Sequence, residues 1–111
     1  MQTLLFVYVG GGLFLALISL PLLAGKIKPN PYYGFRVPQT LENPVMWYPT
    51  NKYFAKRLFA VGFIFSLASA GLYFWPGISV DAYALICLGV FLAIFIPVLV
   101  QSWRYMKTIK P

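Results

Sequence analysis

Residues 82–101 read AYALICLGVFLAIFIPVLVQ, a run without one charged side chain. As a helix at ~1.5 Å per residue it is ~30 Å long, the thickness of a bilayer's hydrocarbon core. No water reaches that core to pair with backbone N–H and C=O groups, so such a span must be helical. Working outward, residues 58–75 and 3–24 are similarly apolar, and no charged side chain precedes Lys26. Hydrophobic residues make up 60% of the 111-residue chain and charged ones 10%, against about half and about a quarter in soluble domains. The chain is therefore expected to be all-α and polytopic. Its single domain, 1–111, is a three-transmembrane-helix bundle with a structured loop, 25–57, between helices 1 and 2.

The first span makes a poor signal peptide. No basic residue precedes it, and its apolar run exceeds the ~7–15 residues of a typical h-region, so it is expected to stay in the mature protein. Lys26, Lys28, Arg36, Lys52, Lys56 and Arg57 all lie between spans one and two, while Arg104, Lys107 and Lys110 follow span three. Basic residues in short loops favour the cytoplasmic side. The expected topology in the cell membrane has the N-terminus outside and the loop and C-terminus in the cytoplasm. The same rule, with attraction to anionic lipid at ~1 kcal/mol per basic residue, accounts for the net charge of +7. Membrane lipid is thus an expected partner and nucleic acid is not. Cys87 is alone within span three, a small apolar filler. Histidine is absent, which removes the commonest general base and metal ligand. Glu42 and Asp81, the only acidic side chains, fall on opposite faces of the membrane. No catalytic residue, metal or cofactor is expected.

Small residues mark helix faces able to approach closely. Gly10, Gly11, Gly12 and Ala16 form such a strip in span one, Gly62, Ser66 and Ala70 in span two, and Gly89, Ala93 and Pro97 in span three. They suit packing within the bundle, between protomers, or both. Pro21 is expected to kink span one near its basic end. Ser79 or Asp81 can cap the third helix. Tyr8, Tyr73, Trp75, Tyr83, Trp103 and Tyr105 lie near span ends and read as an aromatic belt.

The polar chemistry concentrates in the loop, in Lys28-Pro-Asn-Pro-Tyr-Tyr-Gly-Phe-Arg36 and then Pro38, Thr40, Trp47 and Asn51. Flexible linkers are rich in Gly, Ser or charge, whereas this segment is rich in proline and aromatics and is expected to fold onto the bundle. Its prolines bias the residues before them toward extended backbone, and Gly34 is conformationally permissive. Asn43-Pro44 reads as a helix start, which Pro49 is expected to limit to about one turn, or to restart.

The run Pro29-Asn30, Tyr33-Gly34-Phe35-Arg36, Pro38, Thr40-Leu41, Trp47 and Asn51 resembles the signature of the SdpI family, bacterial membrane proteins named for immunity to a secreted sporulation-delaying toxin. The named member is longer, and the resemblance is to its C-terminal three-span half. A small residue follows the position of Asn51 in that family, for which Ala55 is the candidate here. The resemblance implies a protective or signalling role against membrane-active peptides, with Pro29, Gly34, Phe35 and Pro38 shaping the motif. It also implies association of this half with a copy of itself.

Arg36 presents five donors in a fixed fork suited to carboxylate or phosphate. Asn30, Thr40 and Asn51 can add directional hydrogen bonds, and Tyr33 and Trp47 a semi-apolar wall. These six residues form a candidate cradle for an anionic lipid headgroup, a polyprenyl phosphate or a peptide carboxylate. Equally, Arg36 can pair with Glu42 or helix-end carbonyls and pin the loop. The competing expectations are a structural, transporter or channel subunit, with a membrane or signalling protein as partner. Proton-coupled transport is disfavoured because no span has an acidic residue or histidine at its centre.

Overall fold

The computed structural model describes residues 2–30 and 34–109, Gln39 by its backbone alone. Four helices follow in order: α1 (Gln2–Leu23), α2 (Pro38–Glu42), α3 (Pro44–Tyr73) and α4 (Val80–Lys107). Helices α1, α3 and α4 are each long and apolar enough to cross a membrane. α3 lies between the other two, and its contact with each exceeds their contact with one another. The molecule is 53 Å long, so it extends well past a ~30 Å hydrocarbon core.

The expected second span is the upper part of a longer helix. α3 has 30 residues, ~45 Å at the helical rise, and starts at Pro44 instead of near Leu58. Asn43 caps it, its side chain accepting from Val45 N–H at 2.9 Å with Pro44 at the first position. Pro49 was expected to stop or restart this helix, yet the helix runs through it. In the helix's second turn a proline removes one ladder bond, to the Val45 carbonyl. Against that single loss stands a buried stripe that crosses the proline without a break: Trp47, Thr50, Asn51, Phe54, Ala55, Leu58, Val61, Gly62, Phe65, Ser66 and Ser69. Those spacings of three and four trace one helix face.

Across the bundle several polar residues are buried while large apolar ones face outward. Ser19, Thr40, Thr50, Asn51, Ser66, Ser69 and Ser102 are buried, whereas Phe63, Ile64, Leu67, Leu85 and Leu92 face outward. In lipid, outward apolar groups need no burial, and close approach of small residues with interhelical hydrogen bonds holds helices together.

The tightest crossing is α1 on α3, where two of the expected strips meet. A Cβ at Gly12 would overlap Ser66 Oγ and lie 2.6 Å from the Gly62 carbonyl oxygen. A Cβ at Gly62 would overlap the Gly12 carbonyl oxygen and lie 2.8 Å from Ala16 N. Ser66 Oγ donates across the crossing to the Val9 carbonyl at 2.8 Å. The third strip differs: a Cβ at Gly89 would meet nothing within 4 Å, and Ala93 and Pro97 are exposed. Among the described residues, nothing packs on this face of α4 at Gly89, and Ala93 and Pro97 continue it outward.

Two of the tyrosines assigned to the aromatic belt belong to the core instead. Tyr83 is fully buried and donates to the Ser69 carbonyl at 2.9 Å. Tyr8 lies 5.8 Å from the Tyr83 ring and donates to the Ala84 carbonyl at 3.2 Å, tying α1 to α4. Trp75 is exposed, as a belt residue would be. Ser79 is the residue that caps α4, accepting from Ala82 N–H at 3.1 Å, with Asp81 in the first turn. At the other end, Gly25 at φ +73° closes α1, donating to the Leu22 carbonyl while Lys26 donates to that of Pro21, the geometry of a Schellman cap.

Gly62→Ala should destabilise the protein by about 1–3 kcal/mol, the usual cost of overpacking. Gly89→Ala should leave stability unchanged or raise it by up to about 1 kcal/mol through helix propensity. Thermal melts of both variants in one mild detergent check the pair.

Candidate functional site

The loop after α1 is held at three points by side chains of α2 and α3. Trp47 Nε1 donates to the Ile27 carbonyl at 2.8 Å, fixing the loop's start. Asn51 Oδ1 accepts the Phe35 N–H at 2.6 Å while its Nδ2 donates to the Trp47 carbonyl at 3.0 Å. Thr40 Oγ1 accepts the Val37 N–H at 3.1 Å and donates to the Phe35 carbonyl at 2.9 Å, with the Val37 carbonyl as its alternative acceptor. Phe35 is thus gripped at both backbone groups. Its ring packs 5.6 Å from that of Phe54, in a cluster that reaches Val98 and Met106 of α4.

Gly34 is required where it stands. Its φ is +105°, and a Cβ there would lie 2.6 Å from Asn51 Oδ1 and 3.2 Å from Leu22. Pro38 opens α2 at its first position, and Thr40 reaches back to the N–H of Val37 just ahead of it, closing that five-residue turn. Ala55 is completely buried on the same stripe as Asn51.

This geometry corrects half of the expected cradle. Thr40 and Trp47 are 0% exposed and Asn51 is 1% exposed. Their polar groups are spent on the chain's own backbone, so they hold the loop and line no surface. Of the other three candidates, Arg36 is exposed. Asn30 is half-buried, and its amide donates to the Lys28 carbonyl at 2.8 Å. Tyr33 lies outside the described residues. Pro29 is half-buried beside Asn30.

A groove of about 620 Å³ opens at the same end of the bundle. Leu23, Ala24 and Gly25 at the end of α1 form one wall, and Tyr48, Pro49, Lys52, Tyr53, Lys56 and Arg57 of α3 another, with Tyr105 of α4 closing it. The Tyr53 and Tyr105 rings stack at 4.2 Å and 6°. The Arg57 guanidinium carbon sits 3.5 Å over the Tyr53 ring, and its Nε donates to Gln101 Oε1 at 3.3 Å. Sequence reasoning treated Lys52, Lys56 and Arg57 as topology signals and as part of a general attraction to anionic lipid, without a site. They come together because α3 begins well before Leu58, which sets Lys52 and Lys56 one turn apart with Arg57 beside them.

The fold and this end of it define a class: a three-span membrane protein whose first inter-span loop is latched to a long central helix. The SdpI/YfhL protein family matches residues 26–101, covering the latched loop, all of α3 and the body of α4. With well over half of its length matched, the chain belongs to the SdpI/YfhL protein family. No curated protein and no solved structure gives a significant match.

Removing the Asn51 side chain strands the Phe35 N–H, at a cost of about 1–3 kcal/mol for an unpaired buried donor. Asn51→Ala should therefore release the loop to tryptic cleavage after Lys26 or Arg36, and Gly34→Ala should do the same. Phe59→Ala, which trims an outward side chain, should retain the parent's resistance in a limited-proteolysis time course.

Proposed function

We propose that this protein is an immunity-type protein of the bacterial inner membrane, protecting against membrane-active peptides or signalling their presence. Its basic end, with the motif loop, faces the cytoplasm, and the N-terminus lies outside. The observation that carries the reading is the setting of Arg36. An exposed, permanently charged fork follows directly on a residue whose N–H, C=O and ring are all immobilised. Such an anchor spends its ordering entropy on folding and fixes where the guanidinium stands, a position from which it recognises a peptide carboxylate or a partner's acidic side chain. On this reading the chain binds and does not catalyse. Glu42 and Asp81 sit near opposite ends of the bundle, one before α3 and one at the start of α4, and cannot act as a pair.

A second reading, a structural, transporter or channel subunit, draws on the exposed Gly89, Ala93 and Pro97 strip of α4. A second copy of the chain is the occupant favoured for that face. A stable homo-oligomer in mild detergent would support self-association.

Expression of the chain in cells sensitive to a membrane-active peptide should raise survival. Arg36→Ala should abolish most of that gain at unchanged membrane abundance, whereas Asn51→Ala should lower abundance as well. Unaltered killing at good expression, across the peptides tried, counts against the immunity reading. Orientation has its own check. In a Cys87→Ser background, Gly77→Cys should react with a membrane-impermeant maleimide on intact cells, and Lys56→Cys only after permeabilisation.

A further inference from the structure

We propose that the groove between the end of α1 and the first half of α3 binds the phosphate headgroup of an anionic membrane lipid. Lys52, Lys56 and Arg57 would be its cationic ligands and Tyr48 its outer wall. The site is separate from Arg36 and the proposal does not depend on the immunity reading. Three observations carry it. The first is a charge imbalance within the groove. It has three cationic side chains, and neither of the chain's two side-chain carboxylates, Glu42 and Asp81, is among its lining residues. An uncompensated cluster of this kind takes an anion from outside.

The second is the arrangement of Arg57. A residue placed only to satisfy membrane topology extends its head into water. Arg57 instead sits over Tyr53, itself stacked on Tyr105, and is tied by Nε to Gln101. The fork is fixed before any ligand arrives, with the Nη pair as its further donors. Such a stacked guanidinium is the form in which arginine recognises phosphate.

The third observation selects a lipid over a soluble anion. The groove sits where α1 ends, the level at which headgroups begin. At Ala24 it adjoins a second groove of about 430 Å³, lined by Leu17, Leu20, Pro21 and Lys26. That second groove descends the outward face of α1, where Leu17 is 64% exposed. A phosphate above and an acyl chain below would occupy the two together. A free anion has no use for the lower one.

The test is a calorimetric titration of the full chain in neutral detergent with a short-chain phosphatidylglycerol. Phosphatidylcholine of equal chain length and glycerol phosphate serve as comparison ligands. The phosphatidylglycerol should bind saturably, about tenfold or more tighter than either. Lys52→Gln/Lys56→Gln should weaken it by about tenfold or more, and the charge-matched Arg104→Gln/Lys107→Gln by less than about twofold. Both lysines are exposed, so the first variant should keep the parent's melting temperature. Equal losses in the two double variants would overturn the proposal in favour of general electrostatic attraction. Glycerol phosphate binding as tightly as the lipid would overturn it in favour of a soluble anion.

Discussion

The backbone of Phe35 is the point on which the basic end of the molecule depends. Its N–H goes to Asn51 and its C=O to Thr40, both buried, and its ring joins the core beside Phe54. A buried amide that lacks a partner costs more than a formed hydrogen bond returns, so the loop has one conformation in which these groups can be buried. Gly34 admits that conformation through its positive φ, and any side chain there would push against Asn51. Trp47 fixes the approach to it at Ile27. The described parts of the connection are tied to the core at Ile27 and Phe35.

The same logic extends down the bundle. α3 carries polar atoms on its buried face from Asn51 through Ser66 to Ser69, among apolar residues such as Phe54, Leu58 and Phe65, and turns Phe63, Ile64 and Leu67 outward. Backbone contact at Gly12 and Gly62 substitutes for the hydrophobic driving force that lipid removes. α3 is shared by the loop, α1 and α4, and packs on all of them. The basic groove arises from this sharing, since its walls come from three segments that meet only when α3 is continuous past Pro49.

Much of the fold was legible because membrane spans obey a length rule. Residues 3–24 and 82–101 match α1 and the body of α4 closely, and the strips at Gly12 and Gly62 were readable from spacing alone. The start of α3 was not. Pro49 is a local helix breaker, and the stripe that overrides it contains Thr50, Asn51 and Ser66, polar residues that erase the usual apolar periodicity. The five-residue α2 is too short to leave a periodic signal. In the motif, residue identity was readable and role was not. Trp47, Thr40 and Asn51 have the donors and acceptors of a ligand cradle, and only burial distinguishes that use from bonding the chain's own backbone. Tyr83 went astray for the same reason, since position near a span end does not say which way a side chain points. Lys52, Lys56 and Arg57 formed no linear motif because their site is assembled from distant segments.

The basic end thus has two parts with different physical duties: buried residues that set the loop, and cations that the loop and α3 hold in place. The division rests on the Phe35 latch, and amide hydrogen exchange in detergent micelles tests it most directly. The Phe35 N–H should exchange as slowly as amides in the middle of α3, and the Asn51→Ala substitution should return it to the rate of an open peptide while α3 stays protected. Rapid exchange of the Phe35 amide in the unaltered protein would contradict the account.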